Sequence, residues 1–105
     1  MGVEDDLDWL MGWYLAQCDE NWEHRFGLSI STLDNPGWSL AVDLAGTAME
    51  GRPLASISDN VDPAGHPAGA AWLVCRLEEG QFKAFGGPLD FGRMIRAFRD
   101  WVEAS

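Results

Sequence analysis

Hydrophobic and polar positions alternate most clearly between residues 25 and 44. Phe26, Leu28 and Ile30 alternate with Arg25, Gly27, Ser29 and Ser31, and Trp38, Leu40, Val42 and Leu44 alternate with Ser39, Ala41 and Asp43. A period of two sends successive side chains to opposite faces of a strand. Asp34-Asn35-Pro36-Gly37 separates the two runs. Proline pre-sets φ for the second turn position and glycine accepts a positive φ at the third, so Asn35 to Trp38 reads as a type II turn. The stretch from Trp22 to Leu44 therefore predicts a hairpin with one apolar and one small, polar face.

Ahead of it, about Glu4 to Cys18, the period changes. Leu7, Leu10, Met11, Tyr14 and Cys18 recur at spacings of three and four, the signature of a helix with an apolar stripe. Glu4, Asp5, Asp6 and Asp8 fall in or just before its first turn, where negative charge complements the helix dipole. Trp13 borders the stripe. Trp9 lies more than a quarter turn farther round at about 100° per residue, so its ring is either half-exposed beside the carboxylates or covered by a wide buried arc. Asp19-Glu20-Asn21 is a polar break.

Beyond the hairpin, Gly46-Thr47 and Glu50-Gly51-Arg52-Pro53 read as turns, leaving Leu54 to Asn60 as a short third strand. Asp62 to Gly69 is a long, mobile loop by composition. Trp72 to Leu77 is a strand with Leu73, Cys75 and Leu77 inward. Gln81 to Phe85 follows the Glu79-Gly80 turn with Phe82 and Ala84 inward. Pro88 to Ala104 is a second helix, with Pro88 in its first turn and Phe91, Met94, Ile95, Phe98, Trp101 and Val102 on one face. Arg93, Arg96 and Arg99 fall on the opposite side, a solvated face with Arg96–Asp100 and Arg99–Glu103 as surface pairs.

The order is α-β-β-β-β-β-α. It predicts an α+β, two-layer domain over residues 1–105: an antiparallel sheet of about five strands with the N- and C-terminal helices packed on one face. The inward set is Phe26, Leu28, Ile30, Trp38, Leu40, Val42, Leu73, Cys75, Leu77 and Phe82. The other sheet face carries Arg25, Ser29, Ser31, Ser39, Asp43, Trp72, Arg76, Lys83 and Phe85, an uncovered docking surface.

Composition changes this picture in two ways. Seventeen acids against seven bases give a net charge of −10, which repels nucleic acid and anionic membranes and attracts a basic partner. Acidity also keeps a cytosolic protein in solution, with no partner implied. Six tryptophans in 105 residues serve either a core or an interface. No apolar run is long enough to span a membrane, and Met1 to Asp6 has neither the basic nor the apolar part of a signal peptide. With only Cys18 and Cys75, reduced thiols in the cytoplasm are the default expectation.

Little of this is catalytic chemistry. Cys18, His24, His66 and Cys75 match no zinc spacing, so no metal or cofactor is expected. Both cysteines fall on apolar faces. Glu23-His24 beside Asp19, Glu20 and Asp34 resembles a general acid/base set, but no serine elbow or phosphate loop accompanies it. Neighbouring residues of a strand also point to opposite faces. A small hydrolase or sulfur-transfer enzyme using Cys18 or the Glu23/His24 pair is the alternative to a binding protein.

Trp13-Tyr14, Gln17-Cys18-Asp19, Trp22-Glu23-His24, Gly27, Thr32 to Trp38, Asp43-Leu44 and Gly46-Thr47 together resemble the immunity protein 53 family, more loosely through Trp72, Cys75 and Phe82 to Trp101. One departure stands out: where the resemblance leads one to expect Gly-Asp, this chain has Glu20-Asn21. The resemblance implies a bacterial, cytoplasmic immunity protein of a polymorphic-toxin system. It would bind the toxin encoded by the adjacent gene and block it by stoichiometric occlusion. Many such toxins are nucleases, which tend to be basic, and the charge of −10 is complementary to that. The first candidates for contact are Asp19, Glu20, Trp22, Glu23, His24, Asp34 and Asn35. Trp9 and Trp72 come second. For Trp22, Trp38 and the Asp-Asn-Pro-Gly turn a purely structural role competes with contact, and it is the better account of Pro36, Gly37 and Trp38.

Overall fold

The computed structural model describes residues 3–105; Met1 and Gly2, the start of the N-terminal stretch read above, lie outside the described residues. Helix α1 (Val3–Gln17) leads into a one-turn helix α2 (Trp22–Arg25), then β1 (Leu28–Leu33), β2 (Gly37–Asp43), β3 (Ile57–Asp59), β4 (Leu73–Glu78), β5 (Gln81–Gly86) and helix α3 (Phe91–Glu103). Apart from α2 this is the expected order. The strands form one antiparallel sheet in the order β1-β2-β5-β4-β3.

Alternation set the register. Ile30, Leu40, Ala84, Cys75 and Ile57 form one row across the sheet, and Leu28, Val42, Phe82 and Leu77 the next. The middle of both rows is buried under Leu10 of α1 and Met94, Ile95 and Phe98 of α3. Phe98 is the hub. Its ring centroid lies 5.0 Å from Phe82 and Trp13, 5.9 Å from Trp9 and 6.2 Å from Trp101. Each such aromatic pair adds about 0.5–1.5 kcal/mol beyond the area it buries.

The ends of the rows differ from expectation. Ile30, read as inward, is 42% exposed because β1 is the sheet edge. Leu77 is exposed because β3 stops opposite Cys75 and no strand flanks it. β3 covers only three of the seven residues expected; Asn60, at φ 58, turns the chain and donates its side-chain amide to the Ala71 carbonyl at 2.7 Å. α3 begins at Phe91, since Pro88 lies in a preceding turn whose carbonyl accepts the Trp38 indole N–H at 3.0 Å.

The type II turn is not formed. Asp34, Asn35 and Pro36 make the connection, while Gly37 is already the first residue of β2, paired with Leu33 and outside the positive-φ glycines. Glycine is needed there for a different reason: a Cβ would lie 2.5 Å from the Gly86 carbonyl oxygen.

The largest correction concerns the rotation of α1. Its buried side carries Asp6 and Leu10, with Trp9 and Trp13 packed on Phe98, while Leu7, Met11 and Tyr14 of the expected stripe are exposed. The arginines of α3 explain this. Asp6 Oδ1 lies 3.3 Å from both Arg96 and Arg99, whose guanidiniums therefore bridge to α1 as well as to Asp100 and Glu103. Arg93 likewise joins Asp59 at 2.7 Å and Asp90. The arginine row is an inter-element clasp rather than a solvated face.

Among the described residues the outer sheet face carries no helix, and Ser29, Ser31 and Arg76 are exposed on it as expected, but its largest ring is covered. Trp72 is 6% exposed, beside the hairpin tip and loop residues Pro67 and Gly69. That loop is organised by Asp62, whose Oδ1 accepts the N–H groups of Ala64 and His66 at 2.9 and 2.8 Å.

Replacing Phe98 by Ala is expected to cost about 3–5 kcal/mol in urea denaturation, whereas Leu15→Ala on the exposed side of α1 should stay within about 0.5 kcal/mol. A helix buried along Leu7, Met11 and Tyr14 would instead make Met11→Ala comparably costly.

Candidate partner-binding surface

Between α1 and β1 the chain makes a tight acidic turn. Asp19 Oδ1 accepts the N–H groups of Asn21 and Trp22 at 3.0 and 2.8 Å. The Glu23 carboxylate reaches back to the N–H groups of Asp19 and Glu20, both at 2.9 Å. Asp19 thereby satisfies the free N–H of Trp22, the first residue of α2, and Glu23 ties down the turn that leads into it, while Asn21 at the helix start makes no side-chain cap bond. The strand alternation expected for Arg25 and Phe26 gives way to this helix. Phe26 instead packs against Trp22, 6.3 Å between centroids, with the Arg25 guanidinium over its ring.

These bonds shift the carboxyls. The N–H groups of Trp22 and Asn21 hold Asp19 below its ordinary value. Glu23 is lowered by its own backbone N–H first and then by those of Asp19 and Glu20, against a partial desolvation that acts the other way. Glu20 sits at φ 75, the left-handed region that favours glycine. It occupies the position where glycine was expected.

Trp22 is 5% exposed, donates its indole N–H to the Ala45 carbonyl at 2.8 Å and packs edge-on against Trp13 and Tyr14. Gly46, at φ 78, passes so close that a Cβ would meet the indole at 3.3 Å. His24 is exposed. Asp34 and Asn35 are exposed too, at the other end of β1, about 20 Å from the turn at 3.3 Å per residue. The structure thus brings Asp19, Glu20, Glu23 and His24 together and leaves Asp34 and Asn35 apart from them. Trp9 is half-buried, with the Arg99 guanidinium 5.8 Å from its ring centroid. Trp72 lies in the interior, its N–H bonded to buried Asp90 at 2.9 Å.

Of the groups of the enzyme alternative, Glu23 is bonded to backbone N–H groups, Cys18 Sγ lies 3.4 Å from the Tyr14 carbonyl, and His24 is exposed. Burial pushes the other thiol, Cys75, up to about 12. Among the described residues, no group of three or more His, Cys, Asp or Glu is placed to hold a metal ion.

Sequence reasoning missed an apolar groove of about 250 Å³ beside this turn. Leu7, Leu10, Met11 and Tyr14 of α1 face Leu28 and Ile30 of β1 across it. Met11 is 54% exposed, and Leu7, Tyr14 and Ile30 are exposed as well. The signal was present in the breadth of the apolar arc on α1. At about 100° per residue, Trp9 through Leu15 span roughly 240° of the circumference, more than one packing partner covers. The segment that supplies one wall of the groove is acidic: up to Arg25, residues 1–24 hold no lysine or arginine, and Glu4, Asp5, Asp8, Asp19 and Glu20 are exposed, while Asp6 is buried and paired with Arg96 and Arg99.

The family model described as Immunity protein 53 matches residues 7–103. The chain belongs to that family. No curated protein and no solved structure matches it. Membership makes it an immunity protein by family, which suggests a non-enzymatic role. Among the described residues no helix is long and apolar enough to cross a membrane.

Three measurements test this local account. Glu20→Gly should raise stability by up to about 1 kcal/mol, the relief of left-handed strain less the entropy glycine adds to the unfolded chain. Because Asp19 and Glu23 are depressed below their ordinary values of 3.8 and 4.5, their contribution is complete above the unfolded range and is lost as pH falls through the folded values. Asp19→Asn should therefore flatten the acid limb of the stability curve below pH ~4. Cys75 should stay inert to a thiol reagent at pH ~8 until the protein is unfolded.

Proposed function

We propose that this protein binds the toxin encoded by the adjacent gene of a bacterial polymorphic-toxin system and neutralises it by stoichiometric occlusion, without turnover, in the cytoplasm of the producing cell. Family membership over residues 7–103 carries this reading. The net charge of −10 supports a basic toxin, such as a nuclease domain, because complementary fields speed encounter and orient the partners. An interface of about 1,600 Å² suffices for tight binding when a few central side chains are well buried.

In this reading the acidic turn, with Asp19, Glu20 and His24 exposed and Glu23 half-buried, meets the toxin first, and Asp34 and Asn35 extend the contact along the hairpin. Trp9 supports the interface from its half-buried position. Trp22 and Trp72, both buried, contribute by fixing the turn and the hairpin tip.

Co-expression with the adjacent toxin gene should restore growth and yield a 1:1 complex on purification. Raising salt from 50 to 300 mM should slow association by about tenfold with a smaller change in dissociation. Failure both to rescue growth and to co-purify overturns the proposal.

A further inference from the structure

β1 is an edge strand of unusual openness. Its six residues, Leu28-Ser29-Ile30-Ser31-Thr32-Leu33, include no proline and no charge, the devices that ordinarily guard an edge. The opposite edge, β3, is three residues long and carries Asp59 held by Arg93. The direction of the free groups on β1 follows from the register. Asp43 donates its N–H to the Gly27 carbonyl at 2.9 Å, so odd-numbered residues bond to β2 while Leu28, Ile30 and Thr32 turn their N–H and C=O groups to the open side. Leu28 and Ile30 are also the residues whose side chains line the groove under α1. Unpaired backbone and unfilled apolar space therefore lie along the same line.

Deepening the toxin-binding reading, on which it rests, we propose that the toxin contributes an extended segment that pairs with the free edge of β1 as a sixth strand. Alternate apolar side chains of the segment fill the groove between β1 and α1, and basic residues beside them meet the acids of α1 and the turn. A strand added about 4.8 Å beyond β1 places one of its faces opposite Leu7, Met11 and Tyr14. Charge selects the occupant. A second copy of this chain would bring another −10 to an already acidic rim, whereas a cationic segment is attracted to it.

The test compares the wild type with three variants in binding to the toxin domain encoded by the adjacent gene, and follows amide hydrogen exchange in the wild-type complex. Thr32→Pro removes an N–H that faces outward and leaves the β1–β2 ladder intact. Met11→Lys places a cation in the groove. Leu15→Lys makes the same charge change at a residue 70% exposed on α1 that does not line the groove. Thr32→Pro and Met11→Lys should each weaken binding tenfold or more, Leu15→Lys less than about threefold, with the free proteins' melting temperatures nearly unchanged. The amides of Leu28, Ile30 and Thr32 should become protected in the wild-type complex, a readout independent of any variant's folding. Wild-type binding with those amides unprotected overturns strand addition. So does loss of binding in Met11→Lys but not in Thr32→Pro, which assigns the groove to a helix. Edge protection that rises with the concentration of this protein alone assigns the edge to a second copy and overturns the proposal. Absence of any wild-type complex removes the toxin-binding reading itself.

Discussion

The carboxylate of Asp6, held 3.3 Å from both Arg96 and Arg99, fixes how α1 is turned about its own axis. Asp6 is almost fully buried, so an unpaired charge there would be costly, and the two guanidiniums of α3 make the site tolerable. Once that pair is made, Trp9 and Trp13 fall onto Phe98 and Leu10 enters the core. The same rotation carries Leu7, Met11 and Tyr14 out of the core and opens the groove against β1. A buried ion pair is weak evidence for net stability but a good device for selecting one arrangement among several apolar ones. Here it selects between two arcs of one helix, and the exposed groove is the consequence.

The tryptophans serve the same end. Trp22, Trp38 and Trp101 each donate the indole N–H to a carbonyl in a loop, at Ala45, Pro88 and Pro53. A ring that is apolar over its body and polar at one atom suits the place where a core meets a connecting segment. Each of these bonds adds about 1 kcal/mol net and ties a connecting segment to the core, although at exposed Pro53 and Pro88 water would otherwise take the carbonyl. Asp43 does comparable work on the sheet, accepting from the Gly27 N–H at 2.9 Å and from the Gln81 side chain at 2.8 Å. Aromatic load in this chain is therefore a property of its core and loop anchoring, and the exposed large side chains near the acidic turn are mostly aliphatic.

Period-two alternation was enough to read β2, β4 and β5, because their inner faces are covered and each side chain has one place to go. It was insufficient for β1 and Leu77, where the pattern of the inner face continues past the area the helices cover. The rotation of α1 was not legible from spacing, since an apolar arc of roughly 240° admits two core-facing solutions and the decision came from Arg96 and Arg99, some ninety residues away. Gly37 shows a different ambiguity. Glycine serves positive φ and close approach equally well in a sequence, and only the packing of Gly86 against it distinguishes them. Of the candidate site, the acidic turn was visible as a charged break. The backbone bonds of Asp19 and Glu23 are not legible there, because two carboxylates four residues apart around a polar break suit solvent as well as they suit a turn.

Most side chains that carry the family resemblance are spent on the fold. Trp22 anchors Ala45, Glu23 and Asp19 bind the backbone of the turn before α2, Asp43 ties β1 and β5 to β2, Trp38 holds the turn before α3, and Gly37 and Gly46 allow close passage. A residue fully occupied by its own backbone has little free energy left to discriminate one partner from another. On the proposed toxin-binding reading, Asp19 and Glu23 then contribute charge at first encounter, and discrimination falls to groups that the fold leaves unemployed: the outward arc of α1, the edge of β1 and Glu20. The last is informative because its backbone is strained at φ 75, where glycine would sit at lower cost. A strained, exposed carboxylate beside a helix arc that its own core declines to cover is the combination expected of a surface shaped by something outside the chain.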